Sequence, residues 1–202
     1  ATDSETLDLG GNVLFDDDGP SITANVSDGD SITLNTQDAE VIDTATASFA
    51  GAFTVASSAY GADGAGTTSW SYALGLAEGV VSGVDSGLTS GSETVYLHLV
   101  NGEVIGSTTA TTADVDDKNT VFSLAVNSSG SVTLTQNAAI DHDTDATSNY
   151  ASDQEVLGTG LVNLTGMVTI TDSDGDTATD SETLDLGGNV LFDDDGPSIT
   201  AN

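Results

Sequence analysis

The chain has 202 residues, of which 37% are hydrophobic, so it is long enough and apolar enough to bury one sizeable core. Its 33 Asp and Glu residues face a single basic residue, Lys118, and the formal net charge is -32. This charge excludes nucleic acid, which requires a basic patch, and argues against anionic membrane surfaces, while the absence of Cys excludes disulfides and thiolate metal sites.

Thr, Ser, Val and Gly dominate the sequence, and no long segment has apolar residues spaced three and four apart. Short runs instead alternate apolar with small or polar residues, which predicts strands with one buried face. In chain order, the apolar residues that mark these strands are Ile32 and Leu34; Phe49, Phe53 and Val55 in one longer strand; Trp70, Tyr72, Leu74 and Leu76; Val95, Leu97 and Leu99; Phe122, Leu124 and Val126; Val132 and Leu134; Leu164, Val168 and Ile170; and Leu184 and Leu186.

The turn sequence Asn127-Ser-Ser-Gly130 predicts a hairpin between two of these strands. About eight strands separated by Gly, Asn and Asp clusters fit two packed antiparallel sheets better than a barrel or a propeller. We therefore predict an all-β fold, an immunoglobulin-like antiparallel β-sandwich.

Residues 178–202 repeat residues 1–25 letter for letter, so the sequence has a period of 177 residues. Such a repeat indicates a tandem array of near-identical units, which usually serves as a spacer or scaffold. A Gly-Pro step separates two elements, and it occurs at 19–20 and again at 196–197. We expect residues 1–17 to be the last strand and linker of a preceding repeat, 18–194 to be one complete domain, and 195–202 to begin the next repeat.

The net charge raises the question of what offsets it. Self-repulsion on this scale destabilises a compact state unless positive charge comes from outside the protein. A divalent cation is one explanation, and an acidic surface adapted to salty water is the other. The positions of the acids distinguish the two.

The sharpest acidic motif is Asp172-Ser-Asp174-Gly-Asp176, which continues through Thr177 to Asp180. Carboxylates at alternate positions around a glycine let a short loop wrap its oxygens around a hard cation. The motif is similar to the start of an EF-hand loop, but Thr183 stands where that loop needs its last Glu, so a helix-loop-helix hand is rejected. We predict partial Ca²⁺ coordination in a loop between strands, with a solvated Asp-rich turn as the alternative.

A second acidic motif is the linker Asp16-Asp17-Asp18, which recurs as Asp193-Asp194-Asp195. Three adjacent carboxylates repel one another unless they share an ion. Ca²⁺ takes about six to eight oxygens, and we expect Asp28 and Asp30 to complete its ligands. A flexible linker extended by its own charge is the alternative.

Two weaker acidic clusters have either an ion-binding or a solvated-loop interpretation: Asp114, Asp116 and Asp117 beside Lys118, and Asp141, His142 and Asp143 with Asp145 and Asp153. The only other histidine is His98 on a predicted strand, so a His-rich zinc site is not expected and His142 is interpreted as a polar loop residue.

No Gly-x-Ser-x-Gly nucleophile motif occurs, and we expect no enzymatic activity. Tyr60, Trp70 and Tyr72 could stack on a sugar, but alternation along a strand favours core packing.

Three motifs together resemble the extender repeat of very large bacterial RTX adhesins, which leave the cell by type I secretion. They are Asp-Ser-Asp-Gly-Asp-Thr-Ala-Thr at 172–179, Asp-Asp-Gly-Pro-Ser-Ile at 194–199 and Asp-Gly-Asp-Ser-Ile-Thr-Leu at 28–34. The resemblance spans the whole period in order, and includes Gly-Ser-Val-Thr-Leu-Thr-Gln at 130–136 and the Asp-His step at 141–142.

The resemblance implies a β-sandwich stiffened by structural Ca²⁺, whose copies hold a ligand-binding tip away from the outer membrane for attachment and biofilm formation. Linker ions would then involve Asp16 to Asp18 and Asp193 to Asp195, and an ion within the domain would involve Asp172, Asp174 and Asp176. The implied location is the bacterial cell surface, and the implied partners are adjacent identical repeats, with no membrane insertion and no small-molecule substrate. A module that binds carbohydrate or another surface ligand is the alternative function.

Overall fold

The computed structural model describes residues 1–38, 42–142 and 153–194. The predicted site residue Asp195 and the acids Asp143 and Asp145 lie outside this part of the chain. No helix in the described part is long and apolar enough to cross a membrane. The strands are β1 (Ser21–Val26), β2 (Leu34–Gln37), β3 (Asp43–Ser48), β4 (Phe53–Ala59), β5 (Ala65–Leu76), β6 (Val84–Ser90), β7 (Glu93–Val100), β8 (Glu103–Ser107), β9 (Thr120–Val126), β10 (Ser131–Gln136), β11 (Gln154–Val156), β12 (Val162–Asp172), β13 (Thr177–Asp185) and β14 (Val190–Asp193).

These strands form four hydrogen-bonded sheets. The largest has the order β3-β10-β9-β8-β7-β6, two have three strands each, β13-β12-β5 and β11-β14-β2, and the last pairs β1 with β4. Every pairing in the described residues is antiparallel except that of β14 with β2. The predicted all-β antiparallel sandwich is confirmed, while its immunoglobulin-like topology stays a prediction.

The core lies between the sheets and joins them into one body. Phe122 of β9 packs against Phe192 of β14 with ring centroids 5.2 Å apart, and both rings are fully buried. Gly106 of β8 leaves the space for this ring, because a Cβ atom at that position would lie 2.2 Å from a carbon of Phe122. Inward-facing residues of β10 and β12 alternate with more exposed ones, as the period-two pattern predicts.

Two details of the predicted strands need correction. The single strand through Phe49, Phe53 and Val55 is wrong, because a 3-10 turn at Ala50–Ala52 separates β3 from β4. Both phenylalanines are nevertheless buried, so the apolar spacing reflects two strand ends rather than one continuous strand. The expected total of about eight strands is also too low, because several short strands, such as β11, have no strong alternation.

The predicted β9–β10 hairpin is confirmed, with Gly130 in the left-handed region at a φ of 76°. A second tight hairpin joins β7 to β8 through Asn101 and Gly102, which have φ values of 52° and 87°. Positive φ at both central residues fits the type I′ turn, whose twist matches that of the flanking strands.

One segment from the beginning of the domain and one from its end run next to each other in the same direction. At β1, the Ala24 N–H donates to Asp180 Oδ2 of β13 at 2.8 Å. Further along, the Asn189 amide donates to the carbonyls of Gly29 and Ile32, and β2 then pairs in parallel with β14. The chain therefore enters the domain beside one end of this pair of segments and leaves it at the other.

The repeated sequence takes two conformations in one molecule. Residues 178–192 contribute to β13 and β14, where Phe192 is fully buried. Residues 1–15 form no strand, and the equivalent Phe15 is 93% exposed. Since the sequences are identical, the difference comes from the partners β12, β11 and β2, which only the second copy has. The assignment of residues 1–17 to a preceding repeat stays a prediction.

Candidate metal centres

Where the chain enters the domain, five exposed carboxylates come together in what we call the entry cluster: Asp17, Asp18, Asp63, Asp174 and Asp176. The ligand oxygens of Asp17, Asp18 and Asp63 lie within 4.8 Å of one another, and so do those of Asp17, Asp174 and Asp176. Asp17 belongs to both groups and therefore connects the linker to the predicted ion-binding loop.

The loop of residues 172–176 is folded by its own first carboxylate. Asp172, buried at the end of β12, accepts hydrogen bonds at Oδ1 from the N–H groups of Gly175 and Asp176, at 3.0 and 2.8 Å. Gly175 has a φ of 109°, which side chains rarely tolerate. The turn directs Asp174 and Asp176 outward, while Asp172 Oδ2 is buried without a hydrogen-bond partner among the described residues.

The linker is held against the domain by the loop between β4 and β5. Asp18 Oδ1 accepts a hydrogen bond from the Ala62 N–H at 2.9 Å. Gly61 packs so closely on the linker backbone that a Cβ atom there would lie 2.2 Å from the Asp18 carbonyl oxygen. The same loop carries Asp63, which belongs to the cluster. These backbone contacts therefore hold the linker carboxylates next to Asp63.

The carboxylates of the entry cluster perturb one another. Hydrogen bonding with Asp172, together with desolvation and the repulsion of its charge, raises the pKa of Asp174 to about 6. Asp17 raises the pKa of Asp176 in the same way, while the hydrogen bond with Asp174 lowers the pKa of Asp172. The one contact between a basic side chain and a carboxylate in the described residues, His142 with Asp38, lies elsewhere. An all-oxygen ligand set without a protein cation suits Ca²⁺.

Where the chain leaves the domain, a second group forms what we call the exit cluster: Asp38, His142 and Asp194. Their ligand atoms lie within 4.8 Å of one another, and all three residues are partly buried. His142 Nε2 is 3.5 Å from Asp38 Oδ2, and the His142 side chain is only 5% exposed. His142 lies in a loop, as interpreted from the sequence, but the burial of its side chain was not expected.

The other predicted site residues have different positions. Among the described residues, Asp16, Asp28 and Asp30 belong to neither cluster, and their role in ion binding stays a prediction. Asp180 accepts the hydrogen bond of Ala24 described above. Asp193 accepts from Asn35 Nδ2 at 2.7 Å and from Gln154 Nε2 at 2.5 Å, which ties β14 to both neighbouring strands.

The weaker acidic clusters are largely accounted for by hydrogen bonds. Asp116 accepts from the N–H groups of Lys118 and Asn119 in its own turn. Asp141 accepts from the N–H groups of Ser92 and Gly91, which lower its pKa and close the β6–β7 hairpin.

The remaining histidine and the aromatic residues also have structural partners. Both ring nitrogens of His98 have partners, Thr112 Oγ1 at 2.9 Å and the Thr109 carbonyl at 2.8 Å. Trp70 and Tyr72 are half-buried and stack with centroids 6.3 Å apart, each against Phe53. Core packing therefore accounts for these rings.

Two members of the clusters were not predicted from the sequence, Asp63 and Asp38. Asp63 is an isolated acid and Asp38 has only Glu40 near it in the sequence, and the tertiary fold brings each to a linker copy. The flanking glycines Gly61 and Gly64, both with positive φ, are the one local sign that the loop of Asp63 is tightly shaped.

The fold and these sites define the chain as an all-β sandwich module with carboxylate clusters where it enters and leaves the domain. A sequence model of the family described as "Domain of unknown function (DUF5801)" matches residues 28–187, and the chain belongs to this family. Comparison with curated proteins and with solved structures gives no match.

Proposed function

We propose that this domain is a structural extender of a long bacterial cell-surface adhesin, in which Ca²⁺ fixes each linker to the domain that follows it. The resemblance to RTX adhesin repeats and the 177-residue period support this role. The observation that carries it is the position of Asp17, whose carboxylate is grouped with both linker and loop acids. In this proposal the copies project a ligand-binding tip from the outer membrane, and the module has no catalytic activity.

Calcium would act at the entry cluster by replacing repulsion with shared coordination. Oxygens of Asp17, Asp174 and Asp176 lie close enough to surround one ion, and Asp18 and Asp63 extend the set. Without a cation, hydrogen bonds with Asp172 and Asp17, together with the repulsion of their charges, raise the pKa values of Asp174 and Asp176. A bound ion therefore opposes the swing of the linker away from the loop.

The period gives the linker a role on both sides. Asp194 is the copy of Asp17, one period later, and it lies in the exit cluster of the same domain. In an array, one linker carboxylate would thus face the exit cluster of the preceding unit and the entry cluster of the following unit. Two neighbours that hold the same short linker have little freedom to reorient.

A two-repeat protein, residues 1–194 followed by a second copy of residues 18–194, tests the proposal. Small-angle scattering should show an elongated particle with a narrow distance distribution in Ca²⁺, and a broader one after chelation. Thermal melting should show a large loss of stability on chelation, because the cation binds the folded state.

A matched control is available because the linker sequence occurs twice. Changing both internal linker residues to Asn, Asp194→Asn and Asp195→Asn, should abolish the response of the particle's shape to Ca²⁺. The same changes in the first copy, Asp17→Asn and Asp18→Asn, should leave that response intact, since no repeat precedes them in this protein. An unchanged melting midpoint and shape on chelation would refute the proposal, and measurable glycan affinity would favour a ligand-binding module instead.

A further inference from the structure

We propose that the exit cluster, Asp38, His142 and Asp194, is a binding site for a divalent transition-metal ion such as Zn²⁺. This site is chemically different from the Ca²⁺ sites of the proposed function. It also does not depend on that function, because all three residues lie within a single copy of the domain.

The topology places the two carboxylates side by side. β2 and β14 are parallel neighbours in register, with Gln37 opposite Asp193. Asp38 and Asp194 each follow directly, so both carboxylates project from the same edge of the sheet. His142 reaches this edge from the segment after β10, and the three ligand atoms come within 4.8 Å of one another.

The imidazole of His142 is the independent observation that points to a ligand. Its side chain is 5% exposed, yet neither ring nitrogen has a hydrogen-bond partner among the described residues. Buried polar groups normally have partners, as both nitrogens of His98 do here. A metal ion coordinated by one nitrogen would satisfy a group that is otherwise buried at a cost.

The distance between His142 and Asp38 also fits an ion between them. Nε2 and Oδ2 are 3.5 Å apart, which is long for a hydrogen bond. Two ligands of a tetrahedral Zn²⁺, each bound at about 2.1 Å, are separated by about 3.4 Å. The spacing therefore matches neighbouring positions in one coordination sphere.

Neighbouring groups orient Asp38 toward the site. Its Oδ1 accepts hydrogen bonds from the Gln136 side-chain amide and from the Ile140 N–H, the latter at 3.3 Å. Such outer contacts fix the orientation of metal ligands in known sites. Gln136 is itself fully buried at the end of β10, so this support is part of the folded core.

The donor set selects the kind of ion. Ca²⁺ and Mg²⁺ prefer oxygen ligands, whereas one imidazole nitrogen with two carboxylates suits Zn²⁺ and related ions. His142 also lines a cleft of about 310 Å³, together with Glu155 and the β6 residues Gly87 to Thr89. Neither Asp38 nor Asp194 lines this cleft, so it borders the exit cluster at His142 alone.

Calorimetric titration of Zn²⁺ into the chain of residues 1–202, kept in saturating Ca²⁺, tests the site. We expect one Zn²⁺ per chain that Ca²⁺ does not displace. His142→Gln and Asp194→Asn should each weaken binding by roughly tenfold or more, at least the loss seen for outer-shell partners of metal sites. Asp17→Asn is the matched control, the same change in the same local sequence, and it should leave Zn²⁺ affinity unchanged.

Histidine NMR signals keep the test independent of how the variants fold. In the wild-type protein, Zn²⁺ should shift the ring nitrogens of His142 and leave those of His98 in place. Zn²⁺ binding that persists in His142→Gln, or that Ca²⁺ displaces, would mean adsorption to exposed acids and would overturn the proposal. An imidazolium form of His142 that is unaffected by Zn²⁺ would overturn it too, because the contact with Asp38 would then be an ion pair.

Discussion

Asp174 shows at a single residue what the crowding of carboxylates does to the entry cluster. Its pKa of about 6 lies above the ordinary value of 3.8, because it shares a hydrogen bond with Asp172, is desolvated, and is repelled by the charges of Asp172 and Asp63. In the absence of a cation, the folded state therefore holds a proton that the unfolded chain releases.

This shift predicts an unusual pH dependence for the Ca²⁺-free protein. Between pH 4 and 6 the folded state binds more protons than the unfolded state, so the stabilisation from Asp174 is present at acidic pH and is lost as pH rises through about 6. We expect the melting temperature in Ca²⁺-free buffer to be higher at pH 5 than at pH 7. Differential scanning calorimetry with Asp174→Asn checks this, because that variant should lose part of the gain.

Asp172 acts in the opposite direction and does not mask this effect. Its pKa is lowered, so its contribution is lost only as pH falls below the ordinary value of 3.8. Saturating Ca²⁺ should remove the gain at pH 5, because the ion already offsets the repulsion. An equal gain in the wild type and in Asp174→Asn would contradict the assignment to this residue.

The sequence predicts some site residues and misses others for a physical reason. Asp172, Asp174 and Asp176 are close in the chain, so their alternation around Gly175 is enough to predict a shared loop. Asp63 and Asp38 join their clusters through contacts across the fold, which local spacing does not encode.

At the level of elements, the two copies of one sequence show how far strand formation depends on tertiary contacts rather than on local sequence. In the second copy Phe192 is held in β14 by strands β11 and β2 and packs on Phe122. Its equivalent Phe15 has no such neighbours and is exposed. Strand formation in this segment therefore depends on its partners rather than on intrinsic preference.

A pair of identical substitutions measures this dependence. Phe192→Ala should lower the free energy of unfolding by about 3–5 kcal/mol, the range for removing a buried aromatic ring. Phe15→Ala should change it by less than about 0.5 kcal/mol, as exposed substitutions usually do. Urea denaturation in saturating Ca²⁺ gives both values, and similar losses for the two variants would show that residues 1–15 are packed in solution.

The elements that sequence reasoning predicted are those with strong alternation. The β9–β10 hairpin and the buried face of β12 follow directly from period-two spacing and a turn sequence. The break at Ala50–Ala52 was missed because Phe49 and Phe53 are both apolar and both buried. The parallel pairing of β2 with β14 joins strands from opposite ends of the domain, and no local pattern reports such a contact.

At the level of the whole molecule, we predict that the folding unit starts near residue 18. Among the described residues, residues 1–15 hydrogen-bond only within themselves, as in the Asp8 contact with the Gly10 N–H. The linker acids Asp17 and Asp18, by contrast, contact the domain.

Removal of residues 1–15 should therefore leave the free energy of unfolding unchanged within about 0.5 kcal/mol. Removal of residues 178–192, the same sequence in its folded position, should abolish cooperative unfolding because β13 and most of β14 are lost. Urea denaturation followed by Trp70 fluorescence compares the two truncations. A marked loss of stability in the first truncation would show that the domain boundary lies earlier in the chain.

The parallel alignment of the two outer segments has a mechanical consequence. A pull applied at the entry and exit of the domain is directed along β2 and β14, whose hydrogen bonds lie roughly across the strands. Tension then slides the two strands past each other instead of peeling them apart from one end. The bonds between them share the force and must yield together, so stretching meets its greatest resistance at this pair of strands, which are pulled from opposite ends.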